Sequence, residues 1–290
     1  MKSHIEAIGD SHVLGLYEKV PKGKRLRAKL ILKIASQNQQ AIELAAVVEL
    51  IHAASLLHDD VIDDALTRRG EDSINALFGN KTSIMLGDIL YAKGFFELSK
   101  LPSQVAQIIS NAVVQLSTGE LLDVELAHEF NTNAELYFDM IYKKTASLIE
   151  ASATAAAYLA HKDVHKYAIY GKNLGLAFQI IDDILDITQN AQTLGKPALN
   201  DFKEGKTTLP YLYMYEKLTQ IEQEKLLALF AKTLSEDEAS WIQAKMQDTQ
   251  AITQAIQHAK KLGEEALQMI ADEGSTDLEN IMKAMIEREF

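Results

Sequence analysis

The sequence contains no cysteine, which excludes disulfides, thiolate metal sites and cysteine nucleophiles. Proline is nearly as scarce, with Pro21, Pro102, Pro197 and Pro210 the four examples. The long stretches between them show no strand-like alternation. Basic residues are outnumbered, 29 Lys and Arg against 41 Asp and Glu, for a formal net charge of −12. That balance argues against general nucleic-acid binding, which wants basic surface, although local lysines and arginines can still gather around a small anion. No run of about 18 apolar residues occurs, so no transmembrane segment is expected. The stretch "MKSHIEAIGDSHVLG" has no apolar signal core, and together with the missing cysteines it suits a cytoplasmic location. There is no Gly-x-x-x-x-Gly-Lys-Ser/Thr loop, so a P-loop nucleotide enzyme is not expected.

What is present is helical periodicity. Residues 39 to 66 hold neither Gly nor Pro, and Ile42, Ala46, Val47, Leu50, Ile51, Ala54 and Leu57 recur at helical spacing. Similar patterns predict helices over 82–99, 103–129, 133–159, 164–189, 211–231, 249–273 and 277–289. The 290 residues are 47% apolar and 24% charged, enough for a substantial core. They read as one all-α domain, 1–290, of about ten helices. The exception is "LGKPALNDFKEGKTTLP", residues 194 to 210, with two Gly, two Pro and three Lys. A loop of that length in a compact domain is usually functional.

Two acidic clusters stand out. In "HDDVIDDALTRRG", residues 58 to 70, Asp59 and Asp63 share a helix face about 40° apart, with Asp60 about 100° round and Asp64 about 140° round. His52 and Ser55 fall on the Asp59 stripe. In "GLAFQIIDDILDIT", Asp182, Asp183 and Asp186 repeat the same spacing inside a second apolar helix. One exposed acidic patch is commonplace, but two copies embedded in apolar sequence ask for a cation. Carboxylates one turn apart suit Mg²⁺, which takes oxygen ligands together with substrate phosphate oxygens. Two facing helices would then clamp a metal-bound diphosphate. Basic residues supply grips for a second anionic group: Lys24, Arg25, Arg27 and Lys29 in "KGKRLRAK", Arg68 and Arg69 after the first cluster, Lys143 and Lys144 in "IYKKTASLIEAS", and Lys196 and Lys206 in the long loop.

In order along the chain, "GKRLRAKL", "LIHAASLLHDDVIDDALTRRG", "LGDILYAKGF", "STGELLD", "IYKKTASLIEAS", "LGLAFQIIDDILDIT" and "LGKPALNDFKEGKTTLP" closely resemble the trans-type polyprenyl diphosphate synthases, from about residue 22 to 215. The resemblance implies a single-domain antiparallel helix bundle around a deep central cavity, working as a homodimer with Mg²⁺. Its activity would be head-to-tail condensation of isopentenyl diphosphate with an allylic diphosphate. Asp59, Asp60, Asp63, Asp182, Asp183 and Asp186 would hold the metal. Arg68, Lys144, Thr145, Gln179, Lys196 and Lys206 match positions that serve the allylic substrate, and Phe178 is a further substrate-binding candidate. Lys24, Arg27, His52 and Arg69 match the isopentenyl diphosphate pocket. The chain departs from the family's Gly-Gly-Lys-x-x-Arg-Pro pattern at Lys22, in place of the first Gly, and at Ala28, in place of Pro.

In this family the residues before the first acidic motif set product length. Ser55 and Ala54 are small and Ile51 is aliphatic, a pattern similar to the long-chain, octaprenyl-type synthases that make quinone side chains. A large residue near Val113 to Leu116 that closed the cavity higher up would give a short-chain farnesyl or geranylgeranyl synthase instead. A class I terpene cyclase or a silent subunit of a heteromeric synthase are the remaining alternatives, and both fit poorly with two intact acidic motifs. Release of a long product would bring transient membrane contact. Ala54→Phe is expected to shorten the product; an unchanged chain length in a product-sizing assay removes Ala54 from the set that controls it.

Overall fold

Chain without proline satisfies its backbone N–H and C=O groups most simply within helices. The computed structural model describes residues 1–36, 38–188 and 199–287, and they are helical along most of their length. The chain divides into two compact units, Met1–Val113 with Ala151–His165, and Val114–Glu150 with Lys166–Phe290.

The first unit opens with α1 (Lys2–Glu6), α2 (Ser11–Glu18) and α3 (Leu26–Ile34), then α4 (Gln40–Ile62). A two-stranded antiparallel hairpin follows, β1 (Thr67–Arg68) and β2 (Glu71–Asp72), then α5 (Ile74–Phe78), α6 (Asn80–Leu98) and the start of α7 (Ser103–Leu126). α4 is the central helix and packs on α3 and α6. Its Leu50, Ala54 and Leu57 are buried with Ile5, Ile74, Leu86 and Leu90. By length and composition α4 could cross a membrane, but 67% of its most apolar 18-residue window is buried inside the protein. The helix was expected to reach residue 66 and stops at Ile62. Ala65 N–H donates to the Asp60 carbonyl at 2.9 Å and Asp64 N–H to Val61 at 3.4 Å. Asp64 adopts a left-handed φ of 49°. These are the bonds of a Schellman stop, and they give Asp64 a role in ending the helix.

The second unit contains the rest of α7, α8 (Ala134–Ile141), a π turn (Tyr142–Ala146), the start of α9 (Ser147–Leu159) and most of α10 (Val164–Thr188). Then come α11 (Asn200–Lys203), α12 (Leu209–Tyr215), α13 (Gln220–Leu229), α14 (Glu236–Asp248), α15 (Ala251–Met269), a 3₁₀ turn (Ala271–Glu273) and α16 (Thr276–Ile286). Ile180, Ile181 and Ile184 of α10 are buried with Leu209 and Leu212 of α12 and Ala255 and Ala259 of α15. A second cluster centres on Phe202, stacked on Tyr211 at 4.7 Å.

Three expectations are corrected. The helix expected over 211–231 is two helices, because Thr219 and Glu222 form a capping box that starts α13 afresh. α14 was not foreseen, although Ser235 and Glu238 spell the same box. The helix expected over 133–159 is interrupted by the π turn, with α8 before it and α9 after it.

On α6, Glu97 accepts from Lys93 Nζ at 2.5 Å and Lys100 Nζ at 2.6 Å. Burial opposes its charge, but the bonds from Lys100 and Lys93 prevail and hold the carboxyl down to about 2, against an ordinary 4.5. The charged form therefore stabilises the fold above the ordinary value, and that stability is lost as pH falls toward the folded value. Glu97→Gln is expected to lower the urea midpoint at neutral pH, and the gap to the unsubstituted protein is expected to close steadily from about pH 5 to about pH 2. A gap that stays constant over that range contradicts the assignment.

Candidate active site

The first acidic cluster ends α4. Asp59 is half-buried, Asp63 is exposed and Asp60 is only 3% exposed. Asp60 Oδ1 accepts from Arg68 Nε at 2.6 Å. Burial still pushes the Asp60 carboxyl up, with Asp63 adding to it and Arg68 working against both. The Asp60 carbonyl also accepts from Asn75 Nδ2 at 3.1 Å, and the same amide reaches the Ala65 carbonyl at 2.9 Å. Asn75, on α5, thus clasps the end of the acidic helix.

The hairpin sends two neighbouring arginines to different partners. Arg68 lies on β1 and turns to Asp60. Arg69, at the tip with a φ of 57°, donates from Nη1 to the Pro21 carbonyl at 3.1 Å and lies against Gly23. Arg27, on α3, completes a cationic group around His52. Burial drives the His52 imidazole well below its usual value, and Arg27, Arg69 and Arg68 push the same way, so His52 is neutral. Arg27 is itself lowered to about 10, burial outweighing the nearby Glu49 carboxylate. Its Nε is buried and has no hydrogen-bond partner among the described residues. A guanidinium N–H orphaned among other cations is an opening for an anion. Lys24 is exposed on the loop before α3. At Ala28, where the family pattern has proline, the backbone N–H donates to Glu49 Oε1 at 3.0 Å, a bond that proline lacks the hydrogen to make.

In the second unit the π turn carries Lys144 and Thr145. Lys144 Nζ bridges Glu120 Oε2 at 2.9 Å and Asp123 Oδ2 at 2.5 Å, both on α7. Burial works against its charge, but Asp123 and Glu120 hold the ammonium above its usual range even with Lys206 nearby. Lys206 also pairs with Glu204 at 2.9 Å. Two glycines let the helices close on the turn. A methyl at Gly119 would lie 2.3 Å from the Lys144 nitrogen, and one at Gly175 would lie 2.5 Å from Ala146 Cα. Thr145 Oγ1 donates to Gln179 Oε1 at 2.8 Å, and Gln179 Nε2 donates to Asp183 Oδ1 at 2.9 Å. Phe178 is half-buried beside Gln179.

The second acidic cluster lies on α10. Asp182 is half-buried, while Asp183 and Asp186 are buried. Asp183 Oδ2 accepts from Tyr137 Oη at 2.6 Å, and Asp186 Oδ2 accepts from Asp201 N–H at 3.1 Å. Burial pushes the Asp183 carboxyl well up, and the Asp201 and Asp182 charges add to it. All the donors in the two clusters are carboxylate oxygens, the set a hard cation such as Mg²⁺ prefers. Among the described residues, however, no three histidine or acidic side chains are grouped so as to hold a metal by themselves. Asp60, Asp183 and Asp186 also accept internal hydrogen bonds. Of the chain-length residues, Ile51 and Ala54 are fully enclosed, and Ser55 is buried with its hydroxyl donating to the His52 carbonyl at 3.0 Å. Lys196 lies outside the described residues.

The reading from sequence passed over Glu120, Asp123, Tyr137 and Asn75. "STGELLD" was noticed as part of a pattern, but nothing in its spacing says that its acids hold a lysine 21 residues away. Asn75 carries no signal of its own.

The chain belongs to the polyprenyl synthetase family, whose model matches residues 14–246. It is 44% identical over 184 residues to the mitochondrial solanesyl-diphosphate synthase 1 of Oryza sativa subsp. japonica, covering 62% of this chain and 43% of that one. The chain therefore spans less than half the length of that relative. A solved octaprenyl pyrophosphate synthase from Helicobacter pylori is 45% identical, with a TM-score of 0.94 over 99% of this chain and 95% of that one. A polyprenyl synthase from Caulobacter crescentus, complexed with calcium and isoprenyl diphosphate, is 27% identical, with a TM-score of 0.84 over 100% and 98% of the two chains.

The tight seat of the π turn gives a direct test. Gly119→Ala is expected to cost about 1–3 kcal/mol in urea unfolding, because the methyl meets backbone that cannot yield. Ser117→Ala, exposed on the same helix, is expected to stay within about 0.5 kcal/mol.

Proposed function

We propose that the chain condenses isopentenyl diphosphate head-to-tail with an allylic diphosphate, giving longer all-trans polyprenyl diphosphates of octaprenyl type, and that residues 1–290 work as one synthase domain. The observation that carries this reading is the cationic group of Arg27, Arg68, Arg69 and neutral His52 beside the Asp59 cluster, with a buried guanidinium N–H on Arg27 still unmatched. Membership of the family and the likeness to a solved octaprenyl synthase support it. A neighbour's complex with calcium and isoprenyl diphosphate supports a divalent ion and a diphosphate.

In this reading Arg27, Arg69, His52 and Lys24 bind isopentenyl diphosphate. Lys144, Lys196, Lys206 and Arg68 receive the allylic diphosphate, and Phe178 flanks it. Asp59, Asp60, Asp63, Asp182, Asp183 and Asp186 make up the carboxylate set for Mg²⁺, with the more exposed Asp59, Asp63 and Asp182 as its direct ligands. Bound there, Mg²⁺ supplies Lewis-acid stabilisation of the departing diphosphate's charge. The allylic C–O bond breaks with its electron pair leaving on the diphosphate. The π pair of isopentenyl diphosphate forms the new C–C bond, and the released diphosphate takes the proton. Lys144 and Lys206 balance the developing anion, while the Thr145 and Gln179 oxygens face the cation. No covalent enzyme intermediate is required. The small residues Ala54 and Ser55 and aliphatic Ile51 support a long product. Exposed Ile84, Met85, Phe95 and Phe96 on α6 support a homodimer.

Incubation with isopentenyl diphosphate, a series of allylic primers and Mg²⁺, followed by product sizing, tests this directly. The expected result is Mg²⁺-dependent extension to octaprenyl length or beyond, abolished by chelation. Products stopping at farnesyl or geranylgeranyl length would leave the chemistry and reject the chain length. No extension with any primer rejects the activity.

A further inference from the structure

Tyr137 has no part in the chemistry above, yet it is 1% exposed and its phenol is committed to the second acidic cluster. Its hydroxyl donates to Asp183 Oδ2 at 2.6 Å. A carboxylate only accepts, so the phenol must spend its one hydrogen on Asp183. With Oδ2 taken by Tyr137, Oδ1 accepts from Gln179 at 2.9 Å, and the group that faces it must be the amide nitrogen. The amide oxygen then has to point the other way, where it accepts the Thr145 hydroxyl at 2.8 Å. Every direction in this chain is set by the one before it, starting from the phenol.

We propose that Tyr137 is a positioning residue: through Asp183 and Gln179 it fixes the Thr145 hydroxyl so that its lone pairs, not its hydrogen, are what a cationic carbon meets. This rests on the condensation proposed above, in which an allylic cation forms beside Thr145. A hydroxyl has one hydrogen and two lone pairs. With the hydrogen held by Gln179, the half-buried Thr145 can offer only electron density. Were the amide reversed, Gln179 would donate to Thr145 and the hydroxyl hydrogen would be free to swing toward the cation, destabilising it. Binding of the diphosphates, made by other groups, would change little.

The test is a kinetic cycle of Tyr137→Phe, Thr145→Val and the double variant, assayed with isopentenyl diphosphate, an allylic diphosphate and Mg²⁺. Tyr137→Phe is expected to lower kcat about tenfold, the worth of one oriented hydrogen bond. Both KM values and the Mg²⁺ requirement are expected to stay within about twofold, and the double variant to be no slower than Thr145→Val alone. A wild-type kcat in Tyr137→Phe, a raised Mg²⁺ requirement, or losses that multiply in the double variant each overturn the proposal. A neutron structure of the unsubstituted protein reads the same point without catalysis. A Thr145 deuteron on the line to Gln179 Oε1 supports the relay, and one pointing elsewhere overturns it. That map decides the matter if Tyr137→Phe does not fold, or if the unsubstituted protein shows no condensation and the functional reading itself fails.

Discussion

A carboxylate placed out of water next to other carboxylates is costly unless donors are built around it, and each acidic cluster meets that constraint separately. In the first unit the donor is a charged one. Arg68 reaches Asp60 at 2.6 Å from a hairpin of four strand residues. Removing one partner of such a pair strands the other, at a cost of about 3–5 kcal/mol. In the second unit the donors to Asp183 among the described residues are neutral, the Tyr137 hydroxyl and the Gln179 amide, and Asp186 accepts the Asp201 N–H. Arginine compensates charge as well as hydrogen bonding, whereas a phenol and an amide compensate hydrogen bonding alone. This difference matches the directions of the two carboxyls. Asp60 is raised with Arg68 pulling it back, and Asp183, with no cation among the described residues to offset it, is raised well above its usual range.

The second unit's other device is the π turn. A wide turn in the middle of a helical stretch shifts which side chains face inward, and here it delivers Lys144 and Thr145 together. Lys144 is matched by two buried acids on α7, and Thr145 by Gln179 on α10. Close approach at Gly119 and Gly175 presses both helices onto the turn. The lysine is thereby positioned before any substrate arrives. Its charge is also held through burial, because two carboxylates stand within hydrogen-bond distance of one ammonium.

The helices were legible where periodicity ran unbroken. α4, α7 and α10 were expected within a few residues of where they lie; the second acidic cluster falls wholly on α10, while of the first Asp59 and Asp60 lie on α4 and Asp63 caps its end. What escaped were features that depend on partners distant in sequence. The end of α4 is set by Asp64 and by Asn75, eleven residues further on, and hydrophobic spacing does not report such a stop. The π turn leaves the apolar pattern of 133–159 intact, so the expected single helix was a fair reading of periodicity and an incomplete one of backbone geometry. α14 was legible and passed over, since Ser235 and Glu238 spell a capping box ahead of a sparse apolar stripe. The basic residues were legible as a set, but their division was not. That Arg68 and Arg69 part ways follows from hairpin geometry, which places one on a strand and the other at a strained tip.

The cationic group of the first unit poses the converse problem, since three guanidinium groups near one another repel as the carboxylates do. Two adjustments limit the cost. His52 gives up its proton, so the group carries three charges where four were available. Glu49 adds a carboxylate whose field raises Arg27, and the same carboxylate accepts the Ala28 N–H and so anchors the start of α3. Proline at position 28 would pre-set the backbone of that helix's first turn. Alanine gives up this rigidity and gains a hydrogen bond to the acid that stands beside Arg27. The departure from the family pattern is thus tied to the electrostatics of the site: the loop is held by Glu49 rather than by a ring. Even with these adjustments burial lowers Arg27 to about 10, and its Nε has no partner among the described residues. The remaining imbalance is positive, and an anion with several oxygens is what would remove it.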